Sequence, residues 1–130
     1  MIVADTSAWI DYVRGIDAPH TELLDRELLR SRLATGDIII AEFLQGFRTE
    51  RDFKAARQLM DRLEYHDFLG KERALRAAGN YRLLRKKGVT VRKTVDVMIA
   101  TFCVDKGFEL IHNDRDFDAM EKVLGLRVLR

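Results

Sequence analysis

Short apolar runs alternate in this chain with longer stretches of helical period, and an acidic residue stands just beyond several of the runs. Met1-Ile2-Val3-Ala4 leads to Asp5, Ile38-Ile39-Ile40-Ala41 to Glu42, Thr94-Val95 to Asp96, and Glu109-Leu110-Ile111-His112-Asn113 to Asp114. Strands alternating with helices predict an α/β sandwich on a parallel sheet, with the doubly apolar runs as its buried strands. In such a sheet the carboxyl ends of the strands share one edge, so side chains distant in sequence converge there. The four acids are therefore expected in one pocket.

The periodicity assigns Ile2 to Ala4 to a first strand and about Ser7 to Arg14 to a helix that Gly15 ends. Pro19 is placed in the loop before a second helix, whose apolar face is Leu23, Leu24, Leu28, Leu29 and Leu33. Gly36-Asp37 reads as a turn into Ile38-Ile39-Ile40, a central parallel strand, and Glu42 opens a helical segment from Ala41 to Phe47. An amphipathic helix follows with Phe53, Ala56, Leu59, Met60 and Leu63 on one side, then a short strand over Tyr65 to Phe68. Lys71 to Lys87 is helical, with Leu75, Ala78, Tyr81 and Leu84 at helical spacing and Gly88 as its stop. Val95, Met98, Ile99, Phe102 and Cys103 define the next helix, with Thr94 as N-cap and Gly107 as terminator, which puts Asp96 in its first turn. Glu109 to His112 is the last strand before a helix over Arg115 to Val123, and Arg127-Val128-Leu129 closes the chain.

A length of 130 residues with 47% apolar content suits one domain, residues 1–130, around one core. The chain opens on a strand, without a basic leader or an apolar segment of membrane-spanning length, so a cytoplasmic location is expected. Cys103 is the one cysteine; it can form no internal disulfide, and its place on an apolar stripe predicts burial. No Cys/His spacing suits a structural zinc. His112 reads as a packed or hydrogen-bonded residue rather than a general acid, and Trp9 as a core or dimer-contact residue.

Carboxylates gathered in a pocket repel one another and raise each other's pKa, and a hard divalent cation relieves that repulsion. Oxygen ligands alone favour Mg²⁺, with Mn²⁺ as the alternative. Each acid also has a plainer reading: Asp5 and Asp114 as helix caps, Glu42 and Asp96 as first-turn acids facing a helix dipole. The net charge is only +2, but Arg82, Arg85, Lys86, Lys87, Arg92 and Lys93 fall within twelve residues that run into Asp96. They form either a solvated helix end or a rim that tracks the phosphates of a polyanion, with Arg85, Lys86, Lys87, Arg92 and Lys93 as the candidate phosphate contacts.

Four segments, Val3-Ala4-Asp5-Thr6-Ser7-Ala8-Trp9-Ile10, Ala41-Glu42-Phe43-Leu44-Gln45-Gly46-Phe47, Thr94-Val95-Asp96-Val97-Met98-Ile99-Ala100-Thr101 and His112-Asn113-Asp114-Arg115-Asp116-Phe117, closely resemble the PIN-domain ribonucleases. Within that family the chain is similar to the VapC toxins of type II toxin–antitoxin pairs, over essentially its whole length. The resemblance implies a PIN-like three-layer α/β/α sandwich and catalytic positions at Asp5, Glu42, Asp96 and Asp114. Asp5, Asp96 and Asp114 would hold the metal, Glu42 and Asp116 could assist through water, and Thr6, Ser7 and Asn113 would support them. It also implies a cognate antitoxin that projects a basic side chain into the pocket, a homodimer or higher toxin–antitoxin assembly, and an RNA substrate (tRNA, rRNA or mRNA). Metal-activated water would cut the phosphodiester, leaving a 5′-phosphate and a 3′-hydroxyl. An aspartyl-phosphate phosphotransfer domain fits poorly, because Ser7 stands where a second acid belongs and no late lysine is suitably placed. The non-enzymatic alternative is a PIN-like scaffold that binds RNA or protein without cutting.

Overall fold

The computed structural model describes residues 1–130 and places four short strands in one all-parallel sheet of order β3-β2-β1-β4. The strands are β1 (Ile2–Ala4), β2 (Leu33–Gly36), β3 (Glu64–His66) and β4 (Glu109–Ile111). The helices are α1 (Thr6–Val13), α2 (Pro19–Leu29), α3 (Asp37–Leu44), α4 (Glu50–Asp61), α5 (Gly70–Lys86), α6 (Thr94–Lys106) and α7 (Asp116–Leu124). They pack in two groups, α1 with α2 and α3 and α3 with α4 in one, α5, α6 and α7 in the other, which gives the α/β/α sandwich expected. No helix is long and apolar enough to cross a membrane.

The central strands are buried throughout β1 and β2, as parallel strands covered on both faces require. Phe68 stacks on Phe102 of α6 with ring centroids 4.0 Å apart, and Trp9 and Phe43 join α1 to α3 beneath the site. Trp9 and Cys103 are wholly buried. Helix α6 buries more of its circumference than its apolar stripe predicts, because Thr101 satisfies its hydroxyl on the Val97 carbonyl at 2.7 Å and accepts from Asn80 of α5 at 2.9 Å.

The largest departure from the sequence reading concerns Ile38-Ile39-Ile40. They are not a strand but the first turn of α3, and β2 is the preceding Leu33-Ala34-Thr35-Gly36. A β-branched apolar run reads as a strand, yet the strand ends at Gly36, where a Cβ would collide with the Phe68 ring and the His66 carbonyl. Asp37 then starts α3, its Oδ1 accepting from the Ile38 N–H at 3.0 Å and from the Phe68 N–H at 2.9 Å. Within α3, Ile39 and Phe43 are four residues apart on the buried face, so the isoleucines serve helical packing.

Smaller corrections have similar causes. Pro19 is the first residue of α2, where its missing N–H costs nothing, and not part of the preceding loop. Leu33 belongs to β2 and Leu29 is exposed, so the apolar face of α2 is Leu24, buried, with Leu23 and Leu28 packed against the core. On α5, Ala77 and Leu84 are buried while Leu75 and Ala78 are exposed. Lys93, in extended conformation, occupies the N-cap of α6, and Thr94 is its first helical residue.

Candidate active site

The sheet edge explains how the acids meet. Strands β1 and β4 are neighbours in register, with Ala4 opposite Ile111, and the Asp5 N–H donates to the Ile111 carbonyl at 3.0 Å. Asp5 and Asp114 therefore leave adjacent strand ends, as predicted. Asp96 joins them from the first turn of α6. Glu42 comes by a different route: it lies in the second turn of α3, not beyond a strand, and reaches the same cleft from the helix flank. Together with Thr6, Ser7, Gln45 and Lys93 these four acids line a cleft of about 290 Å³.

Asp5 caps α1 and lines the cleft at once, so the capping and pocket readings coexist. Its Oδ1 accepts from the Ala8 N–H at 3.3 Å and the Ser7 hydroxyl at 2.7 Å. Burial pushes its pKa up to about 7 against those hydrogen bonds, and Asp96 adds to the rise. Asp96 rises to about 6, first through burial and then through the charges of Asp114 and Glu42, while Lys93 opposes the shift. Its Oδ2 is buried with no hydrogen-bond partner.

Hydroxyl and amide contacts tie the acids and their neighbours together. Thr6 donates through Oγ1 to Glu42 Oε1 at 2.5 Å, and Ser7 Oγ accepts from the Asn113 N–H at 2.9 Å, joining the ends of β1 and β4. The Asn113 side-chain amide donates to Asp11 at 2.8 Å. Asp114 Oδ1 accepts from the Asp116 N–H at 3.0 Å, and carboxylate oxygens of Asp96, Asp114 and Asp116 all lie within 4.8 Å of one another.

The donor set fits a hard divalent cation. All the ligand atoms are oxygens, the site is anionic, and Asp96 Oδ2 is an acceptor out of water's reach that no protein group satisfies. A second group, His112, Asp118 and Glu121, fits one poorly. Glu121 is held by Arg130 through two hydrogen bonds of 2.8 and 2.9 Å, and His112 Nδ1 accepts from the Asp114 N–H at 3.1 Å. That bond leaves Nε2 as the protonated nitrogen of a neutral ring, a donor rather than a ligand. Burial holds the His112 pKa down, consistent with the packed residue expected.

The basic stretch divides in two. Arg82, Arg85, Lys86 and Lys87 are exposed at the carboxyl end of α5. Lys93 lines the cleft itself, and Arg92 turns onto Asp116, with N–O distances of 3.0 and 3.2 Å. The Arg92–Asp116 pair and the cleft position of Gln45 were not legible in the sequence, since nothing in a 24-residue separation marks a contact.

The PIN domain family model matches residues 2–123. VapC ribonuclease Mb1587 of Mycobacterium bovis and Ribonuclease VapC11 of Mycobacterium tuberculosis are each 30% identical to the chain over 129 residues, 98% of this chain and 96% of theirs. Among solved structures, the DNA-bound VapBC from Salmonella typhimurium superposes with a TM-score of 0.77 at 22% identity, covering 98% of this chain and 96% of that one. VapBC2 from Rickettsia felis, bound to a promoter DNA fragment, also gives 0.77, at 20% identity over 99% and 98%.

Proposed function

The chain belongs to the PIN-domain family, and from that premise we propose that it is a divalent-metal-dependent endoribonuclease acting as the toxin of a type II toxin–antitoxin pair. The observation that carries the reading is the unsatisfied, buried Oδ2 of Asp96 beside Asp114, in a cleft that also holds Asp5 and Glu42. Four carboxylates gathered in one pocket are costly for a chain to maintain unless a cation offsets their charge. Asp5, Asp96 and Asp114 would hold Mg²⁺ or Mn²⁺, which acidifies bound water and offsets charge on a phosphate.

The protein groups divide the remaining work. Glu42, its Oε1 held by Thr6, offers its other oxygen to a proton of the attacking water. Ser7 fixes Asp5 and the Asn113 backbone in one frame, so that the ligands from β1 and β4 keep their spacing. Lys93 supplies a positive charge at the cleft wall for the scissile phosphate. The exposed cations at the end of α5 would follow the neighbouring phosphates of a single-stranded region of RNA.

The named relatives are VapC ribonucleases and the similar structures are VapBC complexes, which supports a cognate antitoxin as the cytoplasmic partner of this chain. An antitoxin side chain of Arg or Lys would satisfy the acids by charge-assisted hydrogen bonds. The test is cleavage of total cellular RNA by the wild type and by Asp96→Asn, with binding followed in parallel. Metal-dependent cuts that Asp96→Asn loses while it still binds RNA support the enzyme. Metal-independent binding without cuts, the same in both proteins, would favour the scaffold.

A further inference from the structure

Arg92 stands on the loop between α5 and α6 and spans the acidic site from outside. Its Nε meets Asp116 Oδ2 at 3.0 Å and one terminal nitrogen meets Oδ1 at 3.2 Å, so both oxygens of that carboxylate are engaged; the same nitrogen is 3.9 Å from Asp114. This is the planar, two-point grip that a guanidinium also makes on a phosphodiester. The side chain as a whole is 62% exposed. Val91, half-buried against the core, holds the loop just before Arg92.

Asp116 is thereby held from the cluster it adjoins. Its oxygens lie within 4.8 Å of those of Asp96 and Asp114, close enough to share a cation, yet a cation already occupies them.

Resting on the metal-site reading above, we infer that Arg92 is the site's built-in counter-ion: it pairs with Asp116 and exchanges that carboxylate for an RNA phosphate, which would free Asp116 to join Asp96 and Asp114 in holding a cation. Metal and RNA then bind with positive coupling, each favouring the state in which Arg92 has left Asp116. An oxyanion is exchanged for an oxyanion, so the swing leaves no unpaired charge behind.

The test compares Mn²⁺ affinity, followed by electron paramagnetic resonance, with affinity for a short single-stranded oligoribonucleotide, followed by fluorescence anisotropy in EDTA so that no metal is present. Arg92→Gln should bind Mn²⁺ about three- to ten-fold more tightly and RNA correspondingly more weakly. Loss of any nearby positive charge tightens a cation, so Lys93→Gln measures that general effect and Arg92→Gln should exceed it. In an Asp116→Asn background the excess should vanish, because the pair is already broken. An Arg92→Gln effect no larger than that of Lys93→Gln, or one that persists in Asp116→Asn, would overturn the inference. A wild-type protein that binds no Mn²⁺ would overturn the metal-site reading beneath it.

Discussion

The Thr6 hydroxyl donates to Glu42 Oε1 at 2.5 Å, joining the first turn of α1 to the second turn of α3 across 36 positions of sequence. This bond fixes the one acid that does not come from a strand end or from α6. Thr6→Val keeps the side chain's shape but removes the donor, whereas Thr6→Ser keeps the donor. Thr6→Val should lower turnover by about ten-fold, the cost of one hydrogen bond to a charged group, and Thr6→Ser should retain most of it. Steady-state cleavage of a labelled RNA measures both.

Stability of the metal-free protein should fall as pH rises. Asp5 and Asp96 have folded pKa values near 7 and 6, above the 3.8 of an ordinary aspartate, so between those limits the folded state holds protons that the unfolded state has lost. The favourable contribution is complete below about pH 4 and gone above about pH 7. For buried Asp5 alone its upper bound is about 4 kcal/mol. Urea denaturation in EDTA should show lower stability at pH 8 than at pH 5, Asp5→Asn should flatten that slope, and Mg²⁺ should stabilise the wild type more at pH 8 than at pH 5. Equal stabilisation by Mg²⁺ at both pH values would count against these acids as its ligands.

Gly36→Ala tests the strand assignment at β2. The added methyl meets the Phe68 ring and the His66 carbonyl, so it should destabilise the fold by about 1–3 kcal/mol, the usual cost of overpacking. A shift in urea midpoint with unchanged slope is the expected result. No loss of stability would mean that the contact between β2 and the Phe68 loop is looser than it stands here.

The ends of β1 and β4 were legible in the sequence because a buried strand that hands over to an acid leaves a local mark. Asp5 follows an apolar run directly, Asp114 comes three residues after the end of one, and Asp96 lies just past a helix start, so all three are placed by patterns a few residues long. Glu42 was drawn into the pocket through the wrong element. Ile38 to Ile40 carry strand propensity, yet the strand is the preceding Leu33 to Gly36, whose close approach to Phe68, more than thirty residues away, leaves no local mark. The Arg92–Asp116 pair is likewise a product of tertiary approach, and the composition of its segment suggested only a general basic rim.

That rim has its own test. Arg82, Arg85, Lys86 and Lys87 are exposed, so each phosphate they neutralise should add about −0.7 to the slope of log affinity against log salt. Replacing Arg85, Lys86 and Lys87 by glutamine should make the slope shallower and weaken binding across RNA sequences alike. A slope unchanged by the triple replacement would remove the end of α5 from the RNA path.

Hydrolysis of RNA by water at the acid cleft leaves its signature in the chemistry of the cut ends. RNA cut by the purified protein in Mg²⁺ should carry 5′-phosphate and 3′-hydroxyl ends, and Asp96→Asn or EDTA should abolish those ends together. Cuts ending in a 2′,3′-cyclic phosphate, or cuts that persist in both controls, would contradict it.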